Sequence, residues 1–184
     1  MSSIKVPIKA LRDQLFSDLK TQVYAVLDGA SIPNLLSELE ASKARNQCLL
    51  RGELDPALAK AAPYLVHLQA DSALTEWLLK GWGNHWGIFV ITQADFIDLR
   101  KHFRAILMVY DPDGKPLYFR YYDPRVLRVY LTTCNAQETQ QVFGPVLAYI
   151  TEGETTKTLL RFLPGEEQPV CSEIALVSGS DDEV

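Results

Sequence analysis

Four charged side chains, Arg120, Asp123, Arg125 and Arg128, fall within nine residues, interleaved with Tyr121, Tyr122 and Pro124. Arginine and aspartate at this spacing can do two kinds of work. A carboxylate set between guanidinium groups makes charge-assisted, bidentate contacts that pin a turn, and arginines withdrawn from water are usually paired. The same arginines beside a tyrosine can equally form a recognition surface, because Arg and Tyr are enriched where proteins meet proteins. Both readings stay open for different members of the cluster. On the second, Arg120, Tyr122, Asp123 and Arg125 are the candidate partner contacts. A glycine-rich aromatic stretch over residues 81–87 adds Trp82 and Trp86, which flank Asn84 and His85. Two indoles can stack on a sugar or meet a partner; more commonly they close the end of a core with their N–H groups bonded to backbone.

Other residue types offer less chemistry. His67, His85 and His102 lie far apart with no ligand spacing among them, and Cys48, Cys134 and Cys171 form no short pair. A zinc site and a dense disulfide framework are both disfavoured. There is no Gly-x-Ser-x-Gly elbow and no phosphate-cradling loop leading to Lys-Ser or Lys-Thr. The 81–87 stretch follows a helical rather than a strand pattern, so it fits no dinucleotide fingerprint. Acidic pairs have local explanations: Asp111 and Asp113 suit a hairpin turn, and Asp95 and Asp98 suit the first turn of a helix. The expectation is a binding protein with no catalytic, cofactor or metal residues.

The elements that position these residues can be read from periodicity. Residues 117–122 alternate as a strand does, and Asp123-Pro124 then opens a helix, with Asp as its cap and Pro at its first position. Upstream, Ile8, Leu11, Leu15, Phe16 and Leu19 recur at helical spacing, and an apolar strand over 22–27 closes at Asp28-Gly29. Helices are expected from Ser31 as a cap, from Asp55-Pro56, from Asp71 to Gly81, and around Phe96, Leu99 and Phe103. Strands are expected at 48–50, 65–68 and, most centrally, 88–91. Residues 105–110 should pair with 116–122 across Asp111-Pro112-Asp113-Gly114, and Asn135 with Glu138 has capping-box spacing. Strands near 146–150 and 158–163 suggest a closing hairpin.

Strands alternating with helices and then pairing as hairpins indicate an α/β fold, a single domain with a central mixed β-sheet flanked by helices. The main domain spans residues 1–164. The segment from about 145 to 177 is open to packing as a small C-terminal lobe, and the acidic tail 178–184 is expected to be disordered. A chain of 184 residues with 47% hydrophobic and 10% aromatic content builds a real core. Its net charge of −5 argues against a nucleic-acid partner, although a local basic patch of Arg100, Lys101 and Arg104 together with the elbow arginines is compatible with that balance. No apolar run approaches the roughly 18 residues of a membrane span, and the N-terminal residues lack a signal-peptide core. Unpaired cysteines suit a reducing compartment, so a cytoplasmic protein without a membrane partner is expected.

Residues 119–127, reading Phe-Arg-Tyr-Tyr-Asp-Pro-Arg-Val-Leu, also resemble the signature of the type VI secretion effector adaptors, or effector chaperones. Further blocks agree in order: Tyr24-Ala25-Val26-Leu27-Asp28-Gly29-Ala30, then Ala62-Pro63-Tyr64-Leu65-Val66, then His102-Phe103-Arg104. The likeness covers roughly residues 23–143. It implies a protein that binds a cognate toxic effector in the producing bacterium's cytoplasm and promotes its loading onto a VgrG-type spike protein, using binding energy alone. Two alternatives remain beside it: a glycan- or ligand-binding domain or enzyme built on the 82–86 loop, and an immunity-like protein that binds and silences a toxin.

Overall fold

The computed structural model describes residues 7–111 and 113–176. The expected disordered tail at 178–184 therefore lies outside the described residues, as does Pro112 of the expected turn. Seven strands form one sheet in the order β2-β3-β1-β4-β7-β8-β9: β1 (Gln22–Asp28), β2 (Asn46–Cys48), β3 (Pro63–Leu68), β4 (Gly87–Thr92), β7 (Val146–Glu152), β8 (Thr158–Leu163) and β9 (Val170–Ala175). A separate two-stranded ribbon pairs β5 (Met108–Tyr110) with β6 (Pro116–Tyr118). The helices are α1 (Ile8–Leu15), α2 (Leu35–Ser42), α3 (Pro56–Ala61), α4 (Ala73–Lys80), α5 (Phe96–Ile106), α6 (Pro124–Leu131) and α7 (Ala136–Phe143).

Period-two alternation in the central strands divides the core in two. From β1, Val23, Ala25 and Leu27 enter one cluster with Leu11, Leu15, Leu39 and Leu78 of α1, α2 and α4. Tyr24 and Val26 enter the other, with Phe103, Leu127 and Val142 of α5, α6 and α7. The molecule is thus three layers, helices on both faces of a sheet, and β4 is buried throughout its length at the sheet's centre, as expected.

The α/β class stands, but every strand pair is antiparallel, so the sheet is not mixed. The helix-strand alternation that suggested parallel pairing has a different cause. The excursion after β1 returns to the end it left, placing Pro63 opposite Asp28, so β3 runs back along β1. Helix α4 then carries the chain across to β4, which pairs with the far side of β1. β1 lies between two strands that run the same way. The segment from 145 onward is not an appended lobe: β7 hydrogen-bonds to β4 in the middle of the sheet, and β8 and β9 extend it. β9 had no counterpart in the sequence pattern; its side chains are mostly exposed, leaving no inside-outside alternation to read.

Local caps follow the residue types. Asp55 accepts from the N–H groups of Ala57 and Leu58, and Asp95 from those of Ile97 and Asp98. Asn135 and Glu138 form the full capping box. Ser31 is the exception. Its hydroxyl donates to Asp28 (2.9 Å), and α2 begins after Asn34 in a left-handed conformation. Leu19, grouped with the first helix by spacing, lies beyond its end and is exposed.

Candidate functional site

The regular strand of the ribbon ends at Tyr118, sooner than the alternation suggested, yet side chains keep alternating through the next residues. Phe119 is half-buried, Arg120 exposed and Tyr121 fully buried. Tyr121 stacks on Phe103 with ring centroids 5.4 Å apart, and its hydroxyl donates to the Phe103 carbonyl at 2.9 Å. Burial pushes its pKa well above the ordinary tyrosine value. Asp123 then caps α6 by accepting from the Arg125 N–H at 3.0 Å, with Pro124 in the first turn. The elbow read from sequence is therefore present.

Its charges are closed in on themselves. Arg125 donates from Nε and Nη2 to the two Asp123 oxygens, at 3.0 and 2.8 Å. Arg120 reaches past its neighbours to the end of β1, where Nη2 donates to Asp28 Oδ2 at 2.8 Å and lies 3.9 Å from Asp123 Oδ2. Burial raises the Asp123 carboxyl's pKa, but the Arg125 guanidinium and N–H and the Arg120 charge outweigh it and hold the group below its usual value. Arg128 donates to the Gly153 carbonyl at 2.8 Å, tying α6 to the end of β7.

The same end of the sheet holds the 81–87 loop. Glu152, at the end of β7, is buried and accepts from the N–H groups of Gly83 (2.8 Å) and His85 (3.2 Å). The His85 Nδ1 sits 2.6 Å from Glu152 Oε2, off the direction of a good hydrogen bond. The Asp28 N–H donates to the Trp86 carbonyl at 2.8 Å, so the loop and the Arg120 ion pair share one residue. Two stretches nearly forty residues apart thus meet at buried carboxylates, Asp28, Asp123 and Glu152. Gly81 is required here because a Cβ would enter the Trp86 ring, and Gly83 because its φ is +96°.

The placement assigns internal work to several candidate contacts. Asp123 and Trp82 are buried, so neither presents a side chain to a partner in this conformation. Trp82 stacks on Phe89 with centroids 6.2 Å apart, and Trp86 packs on Trp77 at 4.9 Å. Both indoles join the core on the α1, α2 and α4 face. Trp82 Nε1, expected to reach backbone, has no hydrogen-bond partner among the described residues. The cavity between the indoles is about 10 Å³, room for about one water and too small for a sugar. Arg120, Tyr122, Trp86 and Arg125 remain partly exposed. The two arginine side chains are 50% and 53% exposed, each turning one side to solvent while holding an acid with the other.

An open surface appears instead where the ribbon stands off the sheet. Its turn is built by Asp111, whose Oδ1 accepts from the N–H groups of Asp113 (3.0 Å) and Lys115 (2.8 Å). Residues 108–110 and 116–119 are apolar on both faces, and only some can be covered by α5. Tyr110 and Tyr118 are each 69% exposed, and Val109 and Leu117 are also exposed. Between the ribbon, α5, α6 and α7 lies a groove of about 740 Å³, floored by Ile106, Val109, Phe119, Tyr130 and Val142, with His102 along its wall. His102 is held there by a contact of 3.0 Å between Nε2 and the Val142 carbonyl; burial lowers its pKa, only partly opposed by that bond. Composition and local patterning did not single out this groove. The signal was an unbroken apolar run in both ribbon strands, which leaves apolar side chains on whichever face the helices do not cover.

The groove, the elbow and the indole loop have a common ancestry signal. Residues 23–141 match the family model described as Domain of unknown function (DUF4123). The chain belongs to this family. The match runs from β1 into α7 and takes in the ribbon, the elbow and the 81–87 loop, while stopping short of β7, the strand that completes the sheet's centre. No curated protein and no solved structure matches the chain. Among the described residues no group of three or more His, Cys, Asp or Glu side chains is placed to hold a metal ion, and no helix is long and apolar enough to cross a membrane.

Proposed function

We propose that this chain is a type VI secretion effector adaptor, which binds a toxic effector in the cytoplasm of the producing cell and promotes its loading onto a VgrG-type spike protein. The observation that carries the reading is the groove of about 740 Å³ beside a ribbon that exposes Tyr110, Val109, Leu117 and Tyr118. Apolar side chains this exposed on a ribbon of two short strands mark a contact surface rather than a core. The ordered sequence blocks that resemble the adaptor family, and the family match over the same stretch, support it further.

In this mechanism the three-layer body is a rigid platform and the groove receives an apolar segment of the effector, a helix being the commonest guest of such a surface. Binding covers that segment until the effector reaches the spike. The partly exposed Arg120, Tyr122, Trp86 and Arg125 lie on a different stretch of surface and are the candidates for the second contact, with the spike. No cofactor enters the scheme.

The test is co-purification of the tagged chain with the effector encoded beside its gene, followed by capture of that complex on the spike protein. The reading expects a stable pair that Tyr110→Ser with Tyr118→Ser disrupts. An unbound effector, or one whose bound toxin is silenced and never reaches the spike, would overturn it; the second result would indicate an immunity-like protein.

A further inference from the structure

The ribbon has a second side. Between it, α3 and the residues that follow β2 lies a smaller trough of about 280 Å³, with Leu50, Leu54, Leu58 and Tyr118 along it and Arg51 and Arg104 at its rim. Arg104 crosses from α5 to donate from Nη2 to the Cys48 carbonyl at 2.8 Å and, more weakly, to that of Leu50 at 3.4 Å. Its Nε is buried and finds no hydrogen-bond partner among the described residues, and the same is true of Nε in Arg100, one turn earlier on α5.

Unlike Arg120 and Arg125, none of Arg51, Arg100 and Arg104 lies within ion-pair reach of a carboxylate among the described residues. Burial lowers the Arg104 pKa, and the charges of Arg100 and Arg51 lower it further, as expected where cations accumulate without a counter-charge. A chain with a net charge of −5 therefore keeps a cationic rim beside an apolar floor.

We propose that this trough docks an acidic, apolar segment of a protein partner, whose aliphatic or aromatic side chains lie on the leucine floor while its carboxylates meet Arg51 and Arg104. The inference rests on reading the chain as a protein-binding adaptor and adds the chemistry of one guest. Charge complementarity selects that guest. A basic segment would meet Arg51 and Arg104, neither ion-paired among the described residues, on entry, and a nucleic acid would leave the leucine floor unused. The larger groove has Glu138 on its wall instead, so the two sides of one ribbon present different electrostatics. A guest with a carboxylate-rich end would bind in one direction only.

Two amphipathic peptides of about 15 residues, identical in their leucine positions but carrying either glutamate or lysine elsewhere, serve as probes of the full chain by fluorescence anisotropy. The acidic peptide should bind at least about tenfold more tightly than the basic one, with the preference shrinking between about 50 mM and about 300 mM salt. Arg51 and Leu58 are exposed, so substitutions there leave the fold intact as judged by circular dichroism. Arg51→Glu and Leu58→Ser should each weaken the acidic peptide by about tenfold or more, while Arg51→Lys stays within about threefold of the unsubstituted chain. Equal binding of the two peptides, indifference to Arg51→Glu, or equally tight binding of single-stranded DNA would overturn the proposal. Effector capture by the same variants separates the two readings. Capture without a charge preference sinks only this trough, whereas a charge preference without capture sinks only the adaptor.

Discussion

Arg125, at the start of α6, and Tyr110, in the ribbon between α5 and α6, are both largely exposed, yet their surroundings differ in kind. Arg125 is saturated: two of its nitrogens hold Asp123, which also caps the helix on which Arg125 sits. Tyr110 packs against little and borders a groove of about 740 Å³. Every charge of the elbow has an internal partner, whereas the ribbon just before it leaves apolar surface unused. A dense cluster of unusual residues can thus serve the fold rather than the groove that receives the effector. Its work is to fix the ribbon's exit, through Tyr121 in the core and α6, which runs from the elbow to the Tyr130 ring in the groove.

The comparison breaks most visibly at Tyr121. Tyr121→Ala removes a fully buried ring, its stacking on Phe103 and a buried hydrogen bond, and should cost about 3–5 kcal/mol in urea unfolding. A loss below about 1 kcal/mol would mean that the elbow does not anchor the fold. Next in size is the groove. Tyr110→Ser with Tyr118→Ser should lower effector affinity by at least about tenfold while stability stays within about 0.5 kcal/mol. Equal losses of stability and binding would assign the ribbon a structural role.

Asp123→Asn keeps a good capping residue but removes the charge, so it isolates the ion pairs. Because the folded Asp123 pKa lies below its unfolded value, its stabilisation is fully present above the unfolded pKa of about 4 and fades as pH falls through the folded value. The variant should therefore be less stable than the unsubstituted chain near neutrality, by about 0.5–1 kcal/mol given the half-exposed Arg125, and the gap should close in acid. A gap that widened in acid would contradict the sign. Smallest of all, Arg125→Ala should shift stability by less than about 1 kcal/mol in the same urea titration.

Much of this was legible in the chain. Asp-Pro marked the start of α6, Asn135 and Glu138 the start of α7, and an unbroken apolar run the central strand β4. These signals are local: a cap, a ring with fixed φ and a periodicity act within a few residues. What the sequence withheld was non-local. The partner of Arg120 is Asp28, ninety-two residues away, whose role in the Asp28-Gly29 turn concealed its second role as a counter-ion. Glu152 falls between the two strands expected at 146–150 and 158–163, and proved to be the buried acceptor for the 81–87 loop. The antiparallel sense of the sheet depended on where each helical excursion returned, which no window of sequence encodes. The groove escaped because a surface becomes a groove only when α5, α6 and α7 close around it.

The central claim is a division of labour between a structural elbow and a binding ribbon, and one paired measurement tests it. Effector captured per folded molecule is quantified for Arg125→Ala and for Tyr110→Ser with Tyr118→Ser, beside the unsubstituted chain. The account predicts capture within about twofold of the unsubstituted chain for the elbow variant and a loss of about tenfold or more for the ribbon variant. Full capture by the ribbon variant together with lost capture by a folded Arg125→Ala protein would contradict it.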